Sequence, residues 1–267
     1  MMKWIAVALL AAPAFAAPSL DDGYREMYNL EFDAAHRTFA EYQRNNPEDP
    51  LGPVSDAAAY LFNEFDRLHI LQSEFFVHDQ HFATDHKLTA DPETKRRFEA
   101  ALDAAGRLAA RTPDAENSMF ASVLCSGLRS DYLGLIEKRY VPSLREMKTG
   151  RELAEKLLAR YPGYADAWLA VGAENYMLSI RPAPLRLFLR LAGAQTDRET
   201  GLAKLRLTAT KGHYLAPFAN MMLAVAALRE GRHHEAESLL RGLVKEYPRN
   251  RLYAQELQRL QSEEAKL

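Results

Sequence analysis

The sequence predicts an all-α protein, an irregular α-solenoid of about five helix-turn-helix hairpins with insertions and a C-terminal capping helix. The main observation is a recurring set of intervals: Leu243, Leu240 and Ala236 lie five, eight and twelve residues before Pro248. Intervals of three and four place side chains on one helical face, and the proline ends that helix. The second observation is that no alternating pattern of strand length occurs in the sequence.

Four more segments share this spacing, each ending at a proline or, in one case, a histidine. They are Ala35, Phe39 and Tyr42 before Pro47; Ala101, Ala105 and Leu108 before Pro113; Gly150, Ala154 and Leu157 before Pro162; and Gly201, Leu205 and Thr208 before His213. A small residue at the first position lets a preceding helix approach closely. Each segment is therefore predicted to be the second helix of an antiparallel pair.

A first helix is clearest in "DAWLAVGAENYM", where Trp168, Val171, Gly172 and Tyr176 follow one another at helical spacing. This pattern resembles the tetratricopeptide repeat, a helix-turn-helix unit of about 34 residues, although Tyr176 stands one residue late. The chain is similar to exported bacterial tetratricopeptide proteins of unassigned role. The copies before Pro47, Pro113, Pro162 and His213 lie farther apart than one unit, so insertions are expected near residues 73–91 and 181–197.

The N-terminus, "MMKWIAVALLAAPAFAAPSL", has the composition of a cleaved secretory signal. Lys3 precedes an apolar stretch, and Ala14-Phe15-Ala16 provides the small residues of a cleavage site. We expect a signal peptide over residues 1–16 and a helical repeat domain over 17–267 in a periplasmic or secreted protein. An uncleaved membrane anchor is the alternative.

Composition excludes some functions. Thirty-four Lys and Arg against thirty-six Asp and Glu leave a formal charge of -2, so no global basic field is available to hold a nucleic acid. The single cysteine, Cys125, cannot form an internal disulfide and is expected to be a small buried hydrophobe.

Motifs of common enzyme classes are missing from the sequence, and we expect no catalytic activity and no cofactor. The pair His233-His234 followed by Glu235 fails as a zinc-protease motif because Ser238 stands where the second ligand should be. We expect a turn leading into a helix there instead.

A weaker metal candidate is "VHDQHFATDHK", which places His78, His81 and His86 close to two aspartates. Imidazole and carboxylate are suitable ligands for zinc and related ions. A metal-binding role is therefore one alternative function, and a solvated connector is the other interpretation of this segment.

The insertion "IRPAPLRLFLRLAGAQ" predicts a short helix over residues 184–192 in which Arg186 and Arg190 share one stripe. Apolar residues cover the remaining circumference, namely Leu185, Leu187, Phe188, Leu189 and Leu191, of which Leu185, Leu187, Phe188 and Leu191 are the candidate plug or membrane contacts. So much apolar surface should not remain in water. We expect this helix to plug the solenoid groove, because so short a helix binds a bilayer weakly, while membrane or partner contact remains the alternative.

The family register places first helices on the concave face. The residues expected to line that groove are all apolar or aromatic: Tyr176, Phe218, Met221, Val225 and Leu228. The resemblance therefore implies an interaction scaffold that binds another protein or peptide of the cell envelope on an apolar concave groove. Peripheral membrane association through residues 184–192 is a further alternative.

Overall fold

Helices make up 78% of residues 19–71 and 88–264, the parts of the chain that the computed structural model describes. No β-strand occurs in these two ranges, so the predicted all-α class is confirmed. The predicted signal peptide, and most of the insertion near 73–91, lie outside the described residues.

The described ranges contain twelve α-helices. They are α1 (Leu20–Tyr28), α2 (Phe32–Asn45), α3 (Leu51–Arg67), α4 (Pro92–Ala109), α5 (Glu116–Asp131), α6 (Tyr140–Arg160), α7 (Trp168–Ser179), α8 (Ala183–Leu191), α9 (Arg198–Lys211), α10 (Ala216–Arg229), α11 (His233–Glu246) and α12 (Arg251–Glu264). A π-helical turn (Tyr132–Ile136) follows α5, and a 3-10 turn (Ala165–Ala167) precedes α7.

The helices pack as five successive pairs: α1 on α2, α3 on α4, α5 on α6, α7 on α9, and α10 on α11. Each pair also packs on the next, and α12 packs on α11 at the end. The short helix α8 is inserted between the two helices of the fourth pair and contacts mainly α7.

The predicted second helices occur where the spacing placed them. Helices α2, α6 and α11 end two residues before Pro47, Pro162 and Pro248, as expected for a residue that cannot continue a helix. The spaced positions are buried in α6, α9 and α11. In α4, which ends four residues before Pro113, Ala105 is buried as predicted, but Leu102 and Ala109 are buried instead of Ala101 and Leu108.

Two glycines bring helices α7 and α9 into direct backbone contact. A Cβ atom added to Gly201 would lie 2.6 Å from the backbone nitrogen of Tyr176, and one added to Gly172 would lie 2.9 Å from that of Leu205. The small residue at the first spaced position therefore permits close approach in this pair, as the sequence predicted.

The first helical pair also contacts the last. The hydroxyl of Tyr28 donates to the carbonyl of Tyr214 at 3.0 Å, and the Asn250 side chain donates to the carbonyl of Tyr28 at 2.7 Å. The backbone N–H of Arg249 donates to the Asn29 side chain at 3.0 Å. These contacts hold the end of α1 against the segments that flank α10 and α11.

Candidate docking face

The predicted concave groove is not open at its centre. The ring of Phe218 on α10 packs edge-on against Phe62 of α3, with the centroids 5.6 Å apart. Met221 lines a pocket together with Met27 and Tyr28 of α1. Phe218 and Met221, which were expected to line the groove, are thus half-buried and in contact with residues of α3 and α1.

What remains beside Met221 is a small apolar pocket with a cavity volume of about 20 Å³. Ligand pockets usually span roughly 300–1,000 Å³. Its one amide side chain, Asn250, is already used to hold α1. Val225 is half-buried, and Leu228 packs against the cluster formed by α10, α11 and α12. This surface offers little room for a peptide.

Tyr176 is also unavailable to a partner. Its side chain is only 2% exposed and packs with Leu202, Leu205 and Leu223 between α7, α9 and α10. The prediction that Tyr176 lines a partner-binding groove is therefore wrong. Its ring is used for packing between helices.

The plug expectation for residues 184–192 is wrong as well. The exposed fractions on α8 are 44% for Leu185, 62% for Leu187, 65% for Phe188 and 82% for Leu191. Only Leu189 on this helix is buried. Helix α8 therefore lies on the outside of the molecule with its apolar face in solvent.

The polar stripe of α8 faces the protein. Arg186 donates to the carbonyl of Ser179 at 2.9 Å, and Nε of Arg190 donates to the hydroxyl of Thr196 at 2.5 Å. A surface helix normally buries its apolar stripe and exposes its charges. Helix α8 departs from this rule, because Leu185, Leu187, Phe188 and Leu191 are exposed together with Arg190, and an exposed apolar face is expected of an element that presents it to a partner.

A buried polar network holds the segment that follows α8. The carboxylate of Glu174 accepts from the backbone N–H of Gln195 at 2.9 Å and from Nε of Arg151 at 3.1 Å. The Asn175 side chain accepts from the N–H of Asp197 at 3.0 Å. Burial raises the pKa of Glu174 above its usual value despite these donors, so the carboxylate is costly to bury and effective only while its partners stay in place.

A second exposed apolar segment lies at the start of α6, where Tyr140 is 45% and Val141 63% exposed. Val141 and Lys148 are seven residues apart and so share one side of α6. Nζ of Lys148 donates to the carbonyl of Ala192, just after α8, at 3.1 Å. Lys148 thus links α6 to the residue that follows α8, and we call the two apolar segments together the docking face: Tyr140, Val141, Leu185, Leu187, Phe188 and Leu191.

Within the described ranges, the docking face contains all the large apolar side chains that are exposed. Its surroundings are also basic. Residues 138–148 contain four cations and one carboxylate, and residues 181–196 contain three arginines and no carboxylate. These two segments carry a net charge of +6 in a chain of net charge -2, and two carboxylates that flank them, Glu137 and Glu152, pair with Arg139 and Lys148.

No group of three or more potential metal ligands occurs among residues 19–71 and 88–264. The candidates His78, His81 and His86 lie outside the described residues. His233 and His234 are the first residues of α11, as the turn-and-helix interpretation predicted. Within the same ranges, no helix is both long enough and apolar enough to cross a bilayer.

Comparisons with known proteins add no relative: no family model, no curated protein and no solved structure matches this chain. The function is therefore inferred from the geometry of the docking face.

Proposed function

We propose that the protein is a non-catalytic docking scaffold of the tetratricopeptide type, exported to the cell envelope, which attaches to another envelope component through the docking face. The observation that carries this proposal is the outward orientation of α8, with Leu187, Phe188 and Leu191 each more than half exposed. Contiguous apolar patches on soluble monomers commonly mark interaction sites.

The face is held ready for binding. Arg186 and Arg190 bond α8 to its neighbours, and the Glu174 network fixes the segment that leaves it. A helix that is already ordered loses little conformational entropy on association, which favours binding. Fully burying one large apolar side chain contributes about 1.5–3 kcal/mol, so the four partly exposed ones on α8 represent roughly 4–7 kcal/mol before the cost of association.

Docking on α8 replaces the concave groove as the contact surface. In the groove, Phe218 and Met221 already contact residues of α3 and α1, and an incoming peptide would have to displace part of these contacts. No such displacement is required at α8, where the apolar side chains are in solvent.

Retention in the cell envelope tests the proposal. Leu187→Glu places a charge in the middle of the apolar face, and Ser238→Glu places the same charge on an exposed position of α11 as a matched control. We expect the wild type and Ser238→Glu to sediment with the envelope fraction of the native host and Leu187→Glu to be released. Equal retention of all three proteins would overturn the proposal.

A further inference from the structure

We infer that the component bound by the docking face is an anionic phospholipid membrane surface. This inference rests on the proposed function and names its partner. It is carried by the coincidence of exposed apolar side chains and positive charge in residues 138–148 and 181–196.

Charge complementarity favours an anionic surface. The cations of these two segments outnumber the carboxylates seven to one, while the chain as a whole is slightly acidic. A basic segment close to an anionic leaflet gains about 1 kcal/mol per Lys or Arg. An apolar surface without these cations would have no preference for an anionic membrane over an uncharged one.

The position of the arginines is compatible with this attraction. Arg186 and Arg190 lie on the side of α8 away from its apolar face, so a membrane in contact with that face is about one helix diameter from them. A helix with its side chains measures about 10–12 Å across. The Debye length is about 8–10 Å at physiological salt, so the attraction of these two charges to the leaflet is largely screened there and grows at low salt.

The available area lies at the lower end of the range for a stable protein interface and is sufficient for contact with a membrane. Large side chains at these exposed fractions offer on the order of 100 Å² each, so the six provide roughly 600 Å². A standard protein interface buries about 800 Å² on each partner. Insertion into a bilayer has no such threshold, because each apolar side chain adds its own contribution and the electrostatic attraction adds to it.

The partner class can be tested with the purified full chain and lipid vesicles. Binding is measured by flotation with phosphatidylcholine vesicles and with vesicles that also contain phosphatidylglycerol, at low and high NaCl. The variants are Leu187→Glu, Leu191→Glu and the control Ser238→Glu, and circular dichroism verifies that each keeps its helix content. The apolar N-terminal residues are the same in every protein, so differences between variants report on the docking face.

We expect the wild type and Ser238→Glu to bind the phosphatidylglycerol vesicles, more weakly at high salt and more weakly without the anionic lipid. Both substitutions on α8 should lower the affinity by at least about tenfold. If they bind vesicles like the control but are released from native envelopes, the lipid inference is overturned while docking on α8 holds with a protein partner. If they also remain in native envelopes, both proposals fail.

Discussion

Replacement of Gly201 by alanine tests the contact between α7 and α9 most sharply. The added Cβ would lie 2.6 Å from the backbone nitrogen of Tyr176 and 3.0 Å from its Cα and Cβ atoms. Carbon atoms pack at about 3.5–4.0 Å, so the helices must separate by roughly 1 Å. Backbone atoms cannot swing aside as the end of a side chain can.

Gly201→Ala and a control substitution, Gly242→Ala, are expected to change the free energy of unfolding in opposite directions. Overpacking of this kind costs up to about 3 kcal/mol, and the higher helix propensity of alanine returns about 1 kcal/mol. A net loss of about 2 kcal/mol lowers the melting temperature by roughly 4–8 °C in a chain of this size. At Gly242 of α11 an added Cβ meets nothing within 4 Å, so Gly242→Ala should gain about 1 kcal/mol and raise the melting temperature by roughly 2–4 °C.

Thermal unfolding followed by circular dichroism measures both variants against the wild type. A melting temperature of Gly201→Ala at or above that of the wild type would refute the close packing of α7 on α9. It would also remove the physical reason for a small residue at the first spaced position.

Three further predictions concern buried groups. Burial raises the pKa of Asp131 to about 7. Ionisation of this carboxyl therefore lowers the stability of the folded state progressively as the pH rises from about 4 to about 7. Asp131→Asn should raise the melting temperature at about pH 8 and leave it unchanged near pH 4, and the reverse pattern would contradict this. Asn250→Ala removes the donor to the carbonyl of Tyr28 and should lower the free energy of unfolding in urea by about 1–3 kcal/mol, whereas an unchanged value would show that the contact between the chain ends contributes nothing. Burial raises the pKa of Cys125 to about 11, so a thiol reagent at neutral pH should label it only after denaturant is added, and rapid labelling of the native protein would show that the residue is accessible.

The sequence predicted the helix class and the second helices well because both depend on local physics. A proline ends a helix wherever it occurs, and side chains three and four residues apart share a face in any context. Local spacing was less accurate in α4. This helix ends four residues before Pro113, whereas α2, α6 and α11 end two residues before their prolines, and packing in the folded protein decides which neighbouring residue is buried.

The prediction of a partner-binding groove along α10 did not include the contacts that α10 and the residues before it make with distant parts of the chain. The family register identifies the concave side of α10 but not what fills it. Phe62 and Tyr28 reach Phe218 and Tyr214 across more than 150 residues of sequence. Such contacts leave no periodic signal in a single sequence.

The orientation of α8 was predicted only in part. The spacing of Arg186 and Arg190 correctly defines a polar stripe, but spacing alone does not say which side of a helix faces the protein. Ser179 and Thr196 decide this by accepting hydrogen bonds from the arginines. The other part of the docking face was missed, although the apolar pair Tyr140-Val141 directly after two cations was a usable signal.

Hydroxyl-radical footprinting of the protein free and in native envelopes tests the docking face most directly. In the free protein, Leu187, Phe188 and Leu191 should be among the most readily oxidised side chains, since each is more than half exposed. On envelopes, we expect their oxidation to fall strongly while that of Met221 on α10 stays the same. Unchanged oxidation of α8, with new protection along α10, would contradict docking on α8 and restore the concave groove as the binding surface.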